Sequence, residues 1–420
     1  MRLMDNIKKG LLLTCVLSLF TIMFFFGEIL KNPNHTYFAE GGDGFKSYYG
    51  AIYHLKYDST YFQFEGMNYP YGESVFFTDN QPLLTNTVKW ISHVVDIREH
   101  IVGIINLAMV FSFLIAAVFL FLLFAELGVL WWFAALASIG ICMLSPQIGR
   151  MAGHFSLSHL FWIPLMLYLI FRFSQKPGWK LSLLIALVGF LAASMHLYFV
   201  AFYGLLITFY WLFSKNWLKV NWKERRNAFF HWFVQVCVSF ILLELIVGST
   251  DHLMDRTSHP YGSLVYLSHP ASIFLPGGAP YSFVSKYITV FTHLEWEGFA
   301  FIGVVALIGF LIGIYSLILK LVSGKAFWKI SNVPVLTAFF WASFFALLLS
   351  FGLPFKLGVE WLLDYLGPFR QLRGLGRFSW LFYYVINILV FYLLHQWFIV
   401  RKKKAICNYC SSNIIHLIIC

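Results

Sequence analysis

The ionisable residues of this chain are few, and they gather in short segments between apolar runs. The first segment is EGGDGFKSYYGAIYHL, where Asp43 stands among Gly41, Gly42 and Gly44. Three glycines let a backbone bend tightly around one carboxylate. Asp43 has two readings: a turn residue bonded to nearby amides, which local sequence favours, or a general base or metal ligand at a membrane surface. Asp79 and Asn80, in NYPYGESVFFTDNQP, precede Pro82 and read as a helix cap with Pro in the first turn. Glu40, Glu65 and Glu73 read as solvated.

IGRMAGHFSLSHLFWIP brings Arg150, His154 and His159 to the ends of two apolar runs, with Ser156 and Ser158 as helix caps. The two histidines are five apart, so one helix does not aim them at a common metal, for which i,i+4 is the better spacing. Arg with His at the mouth of a membrane cavity can bind an anion, or can anchor the chain at the interface. His196, in SMHLYF, sits at a break between two short helices, which is tolerated at membrane depth where it lines protein or a cavity. A buried structural role is the other reading of His196. STDHLMDRTSHP (249–260) is dense in charge (Asp251, His252, Asp255, Arg256, His259), and with HLEWEG (293–298) it reads first as a wet loop, and otherwise as a metal or acceptor site. In PFRQLRGLGRFSW, Arg370, Arg373 and Arg377 step by three and four and share a helical face unless Gly374 and Gly376 break it. A guanidinium fork grips phosphate oxygens in two places, so phosphate is the expected ligand, with anionic lipid as the bland alternative.

These segments need a scaffold, and composition says which kind. The 420 residues are 60% hydrophobic and 12% charged, with 47 Phe; the mean hydropathy is +0.73. Such a chain cannot cover its apolar surface in water, which excludes a soluble enzyme, a disordered tail and a disulfide scaffold. Six Cys form no framework, and Cys407 and Cys410 are a CxxC without a second pair, so no zinc site is expected.

A helix crossing about 30 Å of hydrocarbon needs about 20 apolar residues. The runs 11–30, 101–125, 129–147, 155–173, 181–196, 198–213, 229–248, 298–319, 333–352 and 377–400 fit. Residues 181–213 hold no charge and read as one helix or two. With two helices, 18 of the 30 Lys and Arg lie on one side of the membrane with only Asp5, Glu126 and Glu224. That is the positive-inside pattern. The net charge of +11 is therefore a matter of topology, and nucleic acid is not expected as a partner. The expected fold is an all-α polytopic membrane protein of about ten transmembrane helices. Residues 1–400 form one transmembrane domain, both termini are cytoplasmic, and the long loops 31–100, 249–297 and 353–376 lie outside. Helices lying at the interface are expected at 45–57 and 83–97, the second with Leu84, Val88, Ile91 and Val95 inward. Residues 401–420 are a short basic tail too mixed to span; a truncated end would read this way.

The order of these features resembles the GT-C superfamily of integral membrane glycosyltransferases. The likeness covers roughly residues 1–400 and is carried by EGGDGFKSYYGAIYHL after the first span, NYPYGESVFFTDNQPLL, GHFSLSHLFWIPLMLYL and PFRQLRGLGRFSW. It implies a bacterial inner-membrane enzyme with a polyprenyl-phosphate sugar donor and a glycan or lipid acceptor. Asp43 would then be the base or the ligand of a divalent cation. Arg370, Arg373 and Arg377 would bind the phosphate, and Arg150, His154, His159 and His196 would line the cavity. Many members carry paired acids in the first outer loop; here the second would be Asp79. A large C-terminal outer domain, common in the superfamily, is missing from this pattern.

A flippase or transporter for lipid-linked glycans is the competing function. It calls for charge buried mid-span and inverted repeats, and neither is visible. A glycan polymerase or ligase shares the donor and the outer Arg residues, and a non-catalytic assembly protein would leave Asp43 free to vary.

Overall fold

The computed structural model describes residues 2–214, 217, 219–251, 257, 260–276, 296–324 and 328–418. His252, Asp255, Arg256 and His259 of the charged loop lie outside the described residues.

The described chain is all-α apart from one antiparallel pair, β1 (Gln63–Phe64) with β2 (Glu73–Ser74), which closes a hairpin in the first long loop. In chain order the helices are α1 (Arg2–Lys31), α2 (Gly42–Lys56), α3 (Pro82–Ile91), α4 (Ile101–Glu126), α5 (Trp131–Met143), α6 (Trp162–Gln175) and α7 (Trp179–Met195). There follow α8 (Tyr198–Ser214), α9 (Trp222–Trp232), α10 (Ser239–Thr250), α11 (Pro270–Phe274), α12 (Val304–Val322), α13 (Pro334–Ser350) and α14 (Ser379–Ile418). A π-helical stretch, Phe233–Val238, joins α9 to α10.

Among the described residues, seven helices are long and apolar enough to cross a membrane: 4–31, 98–126, 131–152, 155–175, 222–250, 304–322 and 375–399. Three shorter apolar helices, α7, α8 and α13, stand among them. The uncharged run 181–213 does divide in two, at His196 and Leu197. The run at 298–319 starts later than its hydropathy implies. Ala300 and Ile302 donate their N–H groups to the carbonyls of Ser272 and Ile273 at 3.2 and 3.1 Å, and the helix begins only at Val304.

The core is built on the first three turns of α14. From Trp380 to Val390 every side chain is buried, whereas α12 buries only Ala306. Small residues let helices meet closely, as expected where no water drives association. A Cβ on Gly309 of α12 would lie 2.5 Å from Val390, and one on Gly10 of α1 would lie 2.4 Å from the Phe121 ring.

The first long loop is held by polar bonds. Helix α3 ends at Ile91, short of residue 97, and it buries Pro82, Thr85, Val88 and Lys89 rather than the stripe through Leu84, Ile91 and Val95. Lys89 explains the rotation. Its Nζ donates to the carbonyls of His54, Asp58 and Thr60 at 3.1, 2.7 and 2.6 Å, satisfying carbonyls around the C-terminal end of α2. Beside it, His54 Nδ1 lies 2.7 Å from the Asp58 carboxylate and Nε2 lies 2.8 Å from Asn86 Oδ1 of α3. With three donors and a buried imidazole–carboxylate pair, α2 is fastened at its far end, and its N-terminus is aimed at the segment 150–159.

Candidate functional site

Asp43 occupies the first turn of α2. Gly42 before it has φ +58°, a left-handed conformation that glycine adopts without strain. At Gly44 a Cβ would come within 2.3 Å of Ala39 Cβ and 3.3 Å of the Phe155 ring, so only glycine admits this approach. The result sets Asp43 beside His154, with Oδ2 3.7 Å from Nε2.

Asp79 and Gln81 both adopt left-handed backbone, φ +59° and +58°. Each such non-glycine residue costs on the order of 1–3 kcal/mol unless its surroundings hold it. The segment 154–159 does so. His154 Nδ1 meets Asp79 Oδ2 at 3.2 Å, Ser156 Oγ donates to Asp79 Oδ1, and His159 Nε2 meets Gln81 Oε1 at 2.7 Å. The helix-cap reading of Asp79 and Asn80 is therefore corrected. The residue at the cap of α3 is Gln81, without a side-chain cap bond, and the Asp79 carboxylate faces a different segment. Ser156 and Ser158 do not cap α6 either; Ser158 Oγ donates to the Phe155 carbonyl, and α6 begins at Trp162. His159, buried against Gln81, holds the turn and lines no ionic cluster.

The centre of the cluster is Glu297. Its Oε2 accepts from Nε and Nη2 of Arg377, both at 2.8 Å, and lies 3.2 Å from Arg150 Nη1; Oε1 meets His154 Nε2 at 3.0 Å. Both ring nitrogens of His154 face carboxylates, so both donate and the ring is an imidazolium. Burial alone would push its pKa down, but the bonds to Asp79 and Glu297 outweigh burial and hold it above 6.5. Burial also raises the two acids. For Asp79 that is outweighed by the bond and charge of His154 and by the Ser156 bond; for Glu297, by His154, Arg377 and Arg150. The Asp79 carboxyl is held below its ordinary value, and that of Glu297 well below the usual carboxylate range. His196 behaves in the opposite way: burial pushes it down to about 3, although Asp79 opposes the shift. Its Nδ1 accepts the Tyr198 N–H at 3.2 Å, which leaves a neutral ring with the proton on Nε2.

Two cations are clamped by aromatic faces. The Arg150 guanidinium lies 3.9 Å from the Trp296 ring centroid and donates to the Trp296 carbonyl; Arg377 lies 4.7 Å from the Tyr198 ring. Trp296 itself rests on Gly153, where a Cβ would lie 2.9 Å from the ring.

The three arginines of 368–380 separate. Gly374, at φ −124° and ψ 80°, breaks the helix between two short 3₁₀ turns, so no common face forms. Arg377 is buried in the cluster, Arg373 is exposed, and Arg370 lines a separate cavity with Glu360 and Asp364.

A resident divalent cation does not fit this donor set. The Glu297 and Asp79 carboxylates are engaged by two guanidiniums, an imidazolium and a hydroxyl, and among the described residues no three His, Cys, Asp or Glu are arranged as metal ligands.

A family described as "Domain of unknown function (DUF6311)" matches residues 15–410. The chain belongs to the DUF6311 family. No curated protein and no solved structure matches it. The matched stretch includes the whole cluster, from Asp43 to Arg377, so the ionic site lies within the DUF6311 region of the chain.

Sequence reasoning did not single out Glu297, Trp296 or Tyr198. The available signal was glycine beside each end: Gly298 follows Glu297, and Gly376 precedes Arg377. A Cβ on Gly376 would lie 2.8 Å from Gly298 Cα, and one on Gly298 would lie 2.5 Å from the Leu267 carbonyl oxygen.

Proposed function

We propose that this DUF6311 protein is a membrane glycosyltransferase that moves a sugar from a polyprenyl-phosphate donor to a glycan or lipid acceptor of the envelope. In this reading all ten apolar helices cross a bacterial inner membrane, both termini are cytoplasmic, and the cluster opens on the outer face. One observation carries the reading. Asp43 exposes 57% of its side chain at the edge of a network whose other acids, Asp79 and Glu297, expose 14% and 13% and are paired. A carboxylate that is reachable and backed by fixed charges is suited to take a proton from a bound hydroxyl.

The acceptor oxygen attacks the anomeric carbon of the donor, and its proton passes to Asp43. The bond from that carbon to the phosphate oxygen breaks, and polyprenyl phosphate leaves with the electron pair. His154 holds Asp43 toward the acceptor, and Asp79 and Glu297 hold His154. Exposed Arg373 offers its guanidinium to the leaving phosphate, and buried Arg377 adds fixed positive charge behind it. The ionisable groups meet at helix ends rather than half-way along the spans, which favours surface chemistry over passage of a charged substrate through the bundle.

The test is mass spectrometry of lipid-linked sugars and envelope glycans in a strain lacking the gene. The reading predicts that one glycan loses a sugar while a polyprenyl-phosphate sugar accumulates. An unchanged profile contradicts it.

A further inference from the structure

Apart from the ionic cluster, the described surface carries a cavity of about 410 Å³ between residues 260–265 and 360–370. Its lining combines two exposed aromatic rings, Tyr261 and Trp361, with Glu360, Asp364, Arg370 and the backbone around Gly262. The volume is that of a small-ligand site. The charge sorts the ligands. Among the described residues the lining sets Glu360 and Asp364 beside a single guanidinium, Arg370, which is not the cluster of cations that clamps a phosphate. Carboxylates and a guanidinium placed beside aromatic faces suit a neutral polyhydroxylated ring: its hydroxyls bond to the planar charged groups, and its C–H face lies on the rings.

The cavity is tied to the cluster by one stretch of chain. Ser263 Oγ donates to the Leu372 carbonyl at 3.2 Å, and a Cβ on Gly262 would lie 2.9 Å from the Arg373 carbonyl oxygen. Gly374 then donates its N–H to the Tyr198 hydroxyl, over whose ring Arg377 lies. We infer that this cavity is a saccharide subsite that holds the acceptor glycan while its terminal hydroxyl reaches Asp43. The assignment of the bound sugar as acceptor rests on the transferase reading; the sugar binding itself does not.

The test uses the full-length protein in lipid nanodiscs on an array of bacterial envelope oligosaccharides, with Trp361→Ala and Glu360→Gln beside the intact chain. Both side chains are exposed, so neither change removes core packing. The intact protein is expected to bind a subset of the array, and each variant to bind that subset about tenfold or more weakly. No binding by the intact protein, or equal binding by both variants, overturns the inference. In the latter case Trp361 and Tyr261 serve only as aromatic anchors at the membrane interface. Failure of array binding together with loss of product in an Asp43→Asn strain would leave the transferase reading standing. Array binding that the variants lose, together with a normal product from Asp43→Asn, would leave the saccharide site and remove the transferase.

Discussion

Glu297 receives both Nε and Nη2 of Arg377 at 2.8 Å, although 80 positions separate the two residues. The pair forms because Gly298 and Gly376 bring two backbones into direct contact, each beside its charged neighbour. Everything else in the cluster is arranged around this bond: Arg150 on the same oxygen, His154 on the other, Asp79 behind His154, and Asp43 at the rim.

Gly376→Ala tests the backbone contact. Its Cβ would lie 2.8 Å from Gly298 Cα and 3.0 Å from Ser268 N, atoms that cannot rotate away. Overpacking of this kind costs about 1–3 kcal/mol. The expected outcome is a lower thermal midpoint and loss of product, and a wild-type midpoint would show that the two segments separate freely.

The pH dependence of stability follows from His154, Asp79 and Glu297. The pKa of His154 is raised on folding, so its contribution is complete below 6.5 and is lost as pH rises through the higher folded value. Those of Asp79 and Glu297 are depressed on folding, so their contributions are present above 3.8 and 4.5 and are lost as pH falls through the folded values. The thermal midpoint is expected to be highest in between. His154→Gln should remove the decline on the alkaline side; an unchanged alkaline limb would mean that another group is responsible.

His159→Leu separates holding the turn from chemistry. It removes the Gln81 bond at 2.7 Å and leaves a buried amide without that partner, which costs about 1–3 kcal/mol. Product per folded molecule should stay near wild type. A loss of turnover in well-folded protein would return His159 to the reacting groups.

Trp296→Ala should uncover the Arg150 guanidinium, which now lies 3.9 Å from the ring centroid. A cation–π contact contributes about 0.5–2 kcal/mol, so Trp296→Phe should lose less stability than Trp296→Ala. Equal losses would mean that the ring acts by volume alone.

Much of this site was legible from residue types, and what escaped did so for definable reasons. The apolar runs, and the break at His196, followed from hydropathy and from the sidedness of Lys and Arg, both of which are local counts. The glycines around Asp43 forecast a tight bend, and the bend is there at Gly42 and Gly44. Glu297 looked like one acid in a wet loop because its partners come from segments far away in sequence. Asp79 before Pro82 has the local form of a cap, yet its carboxylate finds His154 and Ser156, contacts that no local pattern encodes. The arginine spacing at 370, 373 and 377 favoured one helical face, and the backbone at Gly374 decided otherwise. The buried face of α3 turned on Lys89, a charged residue whose three carbonyl acceptors appear only once α2 is in place.

The proposed transfer turns on Asp43 as the reacting carboxylate. The direct test complements a deletion strain with the intact gene or with Asp43→Asn at equal protein level, and compares envelope glycans and glycolipids by mass spectrometry. An exposed first-turn carboxylate contributes little stability, so the variant should fold. The intact gene is expected to restore the missing sugar and Asp43→Asn is not; full restoration by Asp43→Asn would overturn the assignment of Asp43.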